Sequence, residues 1–306
     1  MEVKSIEYSI IIPHHNIPKL LKRCLDSIPQ RDDVQVIVVD DHSSDDVITN
    51  LRQLEKENPL YSFVYLENNS GGGKARNVGL SLAKGRFVFF ADADDFFNTC
   101  FNDVLDEYSN SEYDLVFFKG NSVDTDTFKV THRADHLNKY IDDFLTGKDP
   151  EGLQLRYKFG EPWAKMIKRE LITNNSVCFD ETKIHNDTSF SYKVGFWGKL
   201  IKADNRELYC VTTRENSVSL TTSDDRILTR VYVFGKAEQF FHNHHIIVPV
   251  NDHYVQIVRL LVHGKFHLVH KSYRVLHSLG FSKLHVLKEI FVTFIQIVKG
   301  RKVCRK

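Results

Sequence analysis

Over its first hundred residues the chain alternates short, continuously apolar runs with segments of helical spacing, and that alternation leaves few folds open. The runs at 8–12, 34–39, 63–66 and 86–91 are rich in β-branched and aromatic residues, the pattern of strands buried on both faces. Pro13 is expected to end the first run, because it cannot donate to a strand ladder. Asn16 stands at the expected N-cap of the following helix, with Pro18 in its first turn and Leu20, Leu21, Cys24, Leu25 and Ile28 at helical spacing. The second run leads through Asp40-Asp41-His42-Ser43-Ser44-Asp45 into a helix carrying Val47, Ile48, Leu51 and Leu54. The third leads through Asn68-Asn69-Ser70-Gly71-Gly72-Gly73 into a helix around 75–83, which Gly85 is expected to close. Such alternation with short connections implies an α/β fold with a parallel sheet, which binds ligands at the C-terminal ends of its strands. Every polar cluster above falls at such an end.

The fourth run ends most abruptly, since residues 89–96 read Phe-Phe-Ala-Asp-Ala-Asp-Asp-Phe. A buried strand delivering Asp92, Asp94 and Asp95 to its C-terminal edge gathers negative charge that a divalent cation or hydrogen bonds must offset. A surface turn satisfied by water is the other reading of the same residues. Arg76 follows the glycine run at the start of a helix, where backbone donors and a guanidinium suit a diphosphate; an exposed helix arginine is the alternative. The glycines themselves lack the Gly-x-x-x-x-Gly-Lys-Ser/Thr spacing, and no Gly-x-Gly-x-x-Gly follows the first run, which argues against an NTPase loop and a dehydrogenase.

A net charge of +1 with 26% charged residues gives no ground for a nucleic-acid partner, and 306 residues suggest two domains. Cys24, Cys100, Cys178, Cys210 and Cys304 are scattered and never spaced Cys-x-x-Cys, so neither a disulfide framework nor a zinc ribbon is expected, and a reducing cytoplasm fits. The N-terminus has no apolar signal core, and no stretch reaches the roughly 18 apolar residues of a spanning helix. His242, His244 and His245 lack nearby acids and read as a helix end rather than a metal site.

Five separate strings, Ser9-Ile-Ile-Ile-Pro-His-His-Asn16, Val-Ile-Val-Val-Asp-Asp-His-Ser-Ser-Asp45, Gly73-Lys-Ala-Arg-Asn-Val-Gly79, Ala83-Lys-Gly85 and Asp92-Ala-Asp-Asp95, together resemble family 2 of the inverting glycosyltransferases. Glu161-Pro-Trp-Ala-Lys165, Lys168-Arg-Glu-Leu171 and Asn174-Asn175 extend the resemblance more loosely, over about residues 8–215. It implies a GT-A, Rossmann-like nucleotide-sugar-binding domain with a mostly parallel central sheet over 1–215, its nucleotide half at about 1–100 and its acceptor half at about 101–215. A helical C-terminal region, 216–306, follows. It implies transfer of a sugar from a UDP-sugar to a hydroxyl of a growing lipid-linked or surface glycan, with Mn2+ or Mg2+ as cofactor. Asp41 would accept a hydrogen bond from uracil, with Pro13 and Asn16 shaping the same pocket; Asp40 is either part of it or a helix cap. Asp94 and Asp95 would lie nearest the metal, or Asp94 would touch the ribose while Asp95 holds the cation, with Asp92 positioning the loop.

The base of the inverting step belongs, in the family, to an acidic pair before a Thr-x-Phe-x-Tyr helix. Here Asp187 precedes Thr188, and Asn186 replaces the neighbouring acid, which removes a like charge that would raise the base pKa. His185 is a second candidate acceptor of the proton. Trp163 offers an aromatic face to an acceptor sugar or fills the core, and Lys165, Lys168 and Arg169 read as a solvated face. Two other readings stay open: a nucleotide-sugar-binding protein impaired in catalysis by Asn186, and a sugar nucleotidyltransferase, whose basic glycine-rich loop is missing here.

From Lys265 to the end, ten lysines and arginines face a single acid, Glu289, and interleave with the apolar stretch 286–298. Such a helix suits the surface of an anionic cytoplasmic leaflet, each basic residue adding on the order of 1 kcal/mol. Packing of Phe291, Phe294 and Ile295 against the catalytic domain is the competing expectation.

Overall fold

The computed structural model describes residues 5–214, 223–246 and 252–300. They divide into two compact units, Met1–Glu181 with Phe190–Ser217, and Thr182–Ser189 with Val218–Lys306. Residues 182–189, expected inside the first domain, thus cluster with the C-terminal helices.

The first unit begins with β1 (Tyr8–His14), α1 (Pro18–Asp26), β2 (Val34–Asp40), α2 (Asp45–Glu57), β3 (Ser62–Tyr65), α3 (Gly72–Leu82) and β4 (Phe87–Phe90). It continues with β5 (Phe96–Phe97), α4 (Phe101–Tyr108), β6 (Leu115–Asp124), α5 (Asp135–Leu145), α6 (Leu153–Lys158), β7 (Lys165–Lys168) and α7 (Arg169–Asn174). Helix α8 (Thr188–Trp197) leads into the long strand β8 (Ile201–Thr213). One sheet holds all eight strands in the order β3-β2-β1-β4-β7-β6-β8-β5. The first four pair in parallel, whereas β7 runs antiparallel between β4 and β6, and β5 antiparallel to β8. The sheet is therefore parallel through its first half and mixed beyond it. Ile10, Ile11 and Ile12 of the central strand are fully buried, each contributing about 2 kcal/mol.

Pro13 does not end β1, which pairs with β2 through Pro13 and His14. In β1 the odd-numbered residues turn their polar groups toward β4, as the bond from Ala91 N–H to the Ile11 carbonyl shows, and the even-numbered ones toward β2. Strand β4 pairs with β1 only as far as Ile11, so the donor that Pro13 lacks faces no partner strand. Gly85 likewise has another reason than helix closure, because α3 stops at Leu82. A Cβ at Gly85 would lie 2.5 Å from the backbone of Tyr8 and Ser9, so β1 needs a residue without a side chain there.

The second half of the sheet overturns one surface expectation. Lys165 is buried in β7, donating to the Phe159 carbonyl at 2.6 Å with its ammonium over the Phe159 ring. Arg169 donates through Nε to the Gly85 carbonyl at 2.7 Å.

In the second unit, α9 (Asp224–Asn243), α10 (Asp252–Val262), α11 (Phe266–Ser278) and α12 (Lys283–Val298) surround Val231, Tyr254, Ile257, Leu276 and Val286. Glu238 of α9 fastens two neighbours, taking hydrogen bonds from His253 Nε2 of α10 at 2.8 Å and His285 Nε2 of α12 at 3.0 Å.

Candidate functional site

Four loops leave the C-terminal ends of β1, β2, β3 and β4, and hydrogen bonds between backbone and side chains join the first three to one another. After β1, the buried His14 ring accepts the Ile17 N–H at Nε2 (3.1 Å), so the proton sits on Nδ1 and is donated to Asp40 at 2.8 Å. Asn16 has φ +57°, a left-handed conformation that asparagine tolerates. It does not cap α1, whose N-cap is Ile17. Its N–H instead donates to Ser43 Oγ and its Oδ1 accepts from the Ser44 N–H, both at 2.9 Å, which joins the first loop to the second.

Asp40 and Asp41 divide their work. Asp40 is buried and accepts from His14, from the Ser43 N–H at 2.9 Å and from Ser43 Oγ at 2.5 Å. Burial raises its pKa, yet those hydrogen bonds outweigh it and hold the carboxyl below its ordinary range. Asp41 accepts the Ser70 and Gly71 N–H groups, one on each oxygen at 2.7 Å, and so holds the glycine loop at the start of α3. Gly71 has φ +88°, the left-handed turn that lets both amides converge. Arg76 is buried in α3 and ion-pairs with Asp92 rather than projecting as an exposed helix arginine.

The acidic loop after β4 keeps its three carboxylates in three different states. Asp92 is a third exposed and pairs with Arg76, while its N–H donates to the buried Tyr209 hydroxyl at 2.8 Å. Asp94 is 27% exposed, and its Oδ2 meets Arg214 Nη2 at 3.3 Å. Asp95, expected beside the metal, is buried, and its Oδ1 accepts the Thr212 N–H at 2.7 Å. Burial, then the Asp92 charge, pushes the Asp94 carboxyl up against the opposing pull of Arg214. Burial, then Asp94 and Asp92, pushes Asp95 well above the usual carboxylate range. This edge carries more negative charge than its own donors offset. Among the described residues no group of three or more His, Cys, Asp or Glu side chains is placed to hold a metal ion.

Several groups that shape the loop escaped sequence reasoning. Arg23 of α1 donates through Nη2 to the Asp94 carbonyl at 2.6 Å and through Nη1 to the Thr125 carbonyl at 3.1 Å. Thr212 Oγ1 donates to the same Asp94 carbonyl at 2.7 Å. Tyr209, Thr212 and Arg214 lie more than a hundred positions from the loop they touch, and no local spacing announces them. Trp163 corrects the acceptor-platform expectation: it is 4% exposed, and its ring stacks on Tyr209 with centroids 5.4 Å apart. An acceptor sugar needs an open ring face, and this one supports Tyr209 instead.

The expected base lies on the segment before α8. Asp187 is half-buried immediately ahead of Thr188, and Asn186 Nδ2 donates to the Thr182 carbonyl at 3.3 Å. His185 packs against Phe234 at 5.5 Å, and burial, followed by the Arg230 and Arg226 charges, pushes its pKa down to about 4. A ring with so low a pKa is a poor proton acceptor near neutrality. His242 lies in the last turn of α9, so the histidine run does end a helix.

Comparison with known proteins adds a family and a fold. The sequence profile described as Glycosyl transferase family 2 matches residues 9–174. The chain is 25% identical over 249 residues to the uncharacterized glycosyltransferase EpsJ of Bacillus subtilis (strain 168), covering 78% of this chain and 70% of that protein. It is 27% identical over 236 residues to the GalNAc(5)-diNAcBac-PP-undecaprenol beta-1,3-glucosyltransferase of Campylobacter jejuni, covering 74% of this chain and 70% of that one. The crystal structure of Staphylococcus aureus TarS 1–349 in complex with UDP-GlcNAc superposes with a TM-score of 0.59 at 20% identity, covering 83% of this chain and 71% of that one.

Proposed function

The chain belongs to glycosyl transferase family 2, and on that premise we propose that it moves a sugar from a UDP-sugar to a hydroxyl of a growing polysaccharide or lipid-linked glycan, with inversion at the anomeric carbon. One observation carries the reading. The Asp41-held glycine loop, the Arg76–Asp92 pair and the undercompensated Asp94 and Asp95 meet at one edge of a parallel sheet. The similarity to a UDP-GlcNAc complex and to a glucosyltransferase named for a lipid-linked glycan supports the nucleotide and the acceptor class.

Each residue then has a task. Pro13 and Asn16 fix the wall of the base pocket, and Asp41, whose oxygens each retain a second lone pair, offers an acceptor to the imide N–H of uracil. Asp94 fits a hard divalent cation, because it keeps some solvent access while burial, then the Asp92 charge, pushes its carboxyl up. Asp94 would hold Mn2+ or Mg2+, and the bound ion would neutralise charge growing on the departing diphosphate. Asp95 stays inside and sets the turn through Thr212. Arg76 fixes Asp92, and Arg214 balances Asp94 in this state. Asp187 takes the proton from the acceptor hydroxyl.

A panel of UDP-sugars with Mn2+, scored by UDP release, tests this. One donor should be turned over, with Asp94→Asn and Asp187→Asn nearly inactive. If the protein binds UDP yet no donor releases it, the reading of a binding protein impaired at Asn186 replaces this one.

A further inference from the structure

We propose that α12 seats the C-terminal unit on an anionic lipid surface, through an exposed apolar ridge and the lysines on its two flanks. The helix carries two apolar faces, and only one is used by the fold. Val286 and Thr293 are buried, Ile290 packs beside them against the core of the unit, and His285 on the same side reaches Glu238. The second face runs Leu284, Leu287, Phe291, Phe294 and Val298, at intervals of three and four that keep side chains in one stripe along a helix. Exposure along it ranges from 46% at Phe294 to 79% at Leu284. Single exposed apolar residues are ordinary on a soluble protein, but a continuous row of five large ones marks a surface that meets something apolar.

Charge identifies the occupant. Exposed Lys283, Lys288 and Lys299 border the ridge on both sides, and between Lys265 and Lys299 the only acid is Glu289. A second copy of this helix would set lysine beside lysine with no flanking carboxylate to pair, a poor seam for two like helices. An anionic headgroup layer instead offers opposite charge to the ammonium groups and hydrocarbon to the ridge, while the lysine stems lie along the boundary. The 16-residue helix is about 24 Å long, short of the roughly 30 Å hydrocarbon core. No helix among the described residues is long and apolar enough to cross a membrane, so α12 lies on the surface rather than through it. The inference rests on the helical unit alone and stands whether or not the donor and cation are as proposed above.

The test is sedimentation of the full chain with vesicles of phosphatidylcholine alone and of phosphatidylcholine mixed with phosphatidylglycerol, alongside analytical ultracentrifugation without lipid. The wild-type chain should pellet with the anionic vesicles, weakly with the neutral ones, and less as salt rises. Phe291→Ser with Phe294→Ser, and separately Lys283→Glu with Lys288→Glu, should each lower binding about tenfold or more at unchanged circular dichroism. Leu60→Ser, an equally exposed leucine of the first unit, should leave it unchanged. Binding that survives both paired substitutions would overturn the proposal, as would a dimer that dissociates on Phe291→Ser with Phe294→Ser while wild type ignores vesicles.

Discussion

Two carboxylate clusters close the same half of the sheet, and they are built in opposite ways. At the end of β2, Asp40 is buried, but an imidazole, a hydroxyl and a backbone amide all donate to it, and its pKa falls. At the end of β4, Asp94 and Asp95 are also largely enclosed, yet among the described residues the donors to their two carboxylates are one guanidinium at 3.3 Å and the Thr212 and Asp94 backbone amides, and their pKa values rise. Residue type and sheet position are shared, so the difference lies in how many donors the surrounding loops supply. A satisfied carboxylate fixes a fold, whereas the partly accessible Asp94 is the one that the proposed function gives to a cation.

Isosteric substitution at the two clusters should separate these roles most sharply. Asp94→Asn is expected to lower UDP release by two to three orders of magnitude, about 3–4 kcal/mol, because it removes charge stabilisation that operates during transfer. The same change should leave the melting temperature level or raised, since it relieves repulsion with Asp92 and Asp95. Asp40→Asn should do the reverse, losing about 3 kcal/mol of stability as the His14 N–H and Ser43 amide are left facing a weaker acceptor. Parallel urea unfolding and UDP-release assays would decide, and a large stability loss in Asp94→Asn with little change in Asp40→Asn would refute the contrast.

Much of this half was readable in the chain, because strands buried on both faces and their polar ends are encoded locally. The runs around Ile10, Val36 and Phe89 gave the strands, and turn residues marked the loops. What stayed hidden depends on residues far away in sequence. Nothing near Pro13 says that β4 departs before reaching it, and nothing near Gly85 says that the Tyr8 backbone lies against it. Lys165 reads as a surface cation until the Phe159 carbonyl and ring are seen around it. Trp163 reads as a platform until Tyr209, forty-six positions on by their numbering, covers its face. The acidic loop could be located from the Asp92-Ala-Asp-Asp95 string, but its division into paired, accessible and buried carboxylates required Arg76, Arg214 and Thr212.

The helical unit offers a pH contrast with the acidic loop. His185 has its pKa lowered from 6.5 to about 4, so the unfolded chain takes up its proton first as pH falls. Stability tied to His185 is therefore complete above about pH 6.5 and lost progressively toward pH 4, with an upper bound of about 3 kcal/mol. Asp95 has the opposite sign. Its folded pKa lies above the unfolded value, so the folded state holds the extra proton and stability declines as pH rises through that window. Hydrogen exchange followed from pH 7 to pH 4.5 should show amides near His185 losing protection while those of the acidic loop do not. His185→Gln should flatten the first trend, and a variant that keeps the full acid sensitivity would remove His185 as its cause.

The smallest expected effect tests why Asp94 is undersatisfied at all. Its side-chain partner Arg214 is a third exposed, and among the described residues its guanidinium is held by one ion pair, at 3.3 Å, with Nε unpartnered. Such a pair is worth at most about 1 kcal/mol, which corresponds to about fivefold in an equilibrium constant. If Arg214 balances Asp94 only until a cation arrives, Arg214→Ala should tighten Mn2+ binding to the free protein by up to about fivefold. The same substitution should weaken binding of UDP with Mn2+, because a diphosphate beside the metal would lose a cationic neighbour. A purely structural arginine would move both affinities the same way on removal. Opposite signs in titrations of Mn2+ alone and of UDP with Mn2+ therefore distinguish a resident counter-ion from a brace, and Arg214→Lys should restore part of both.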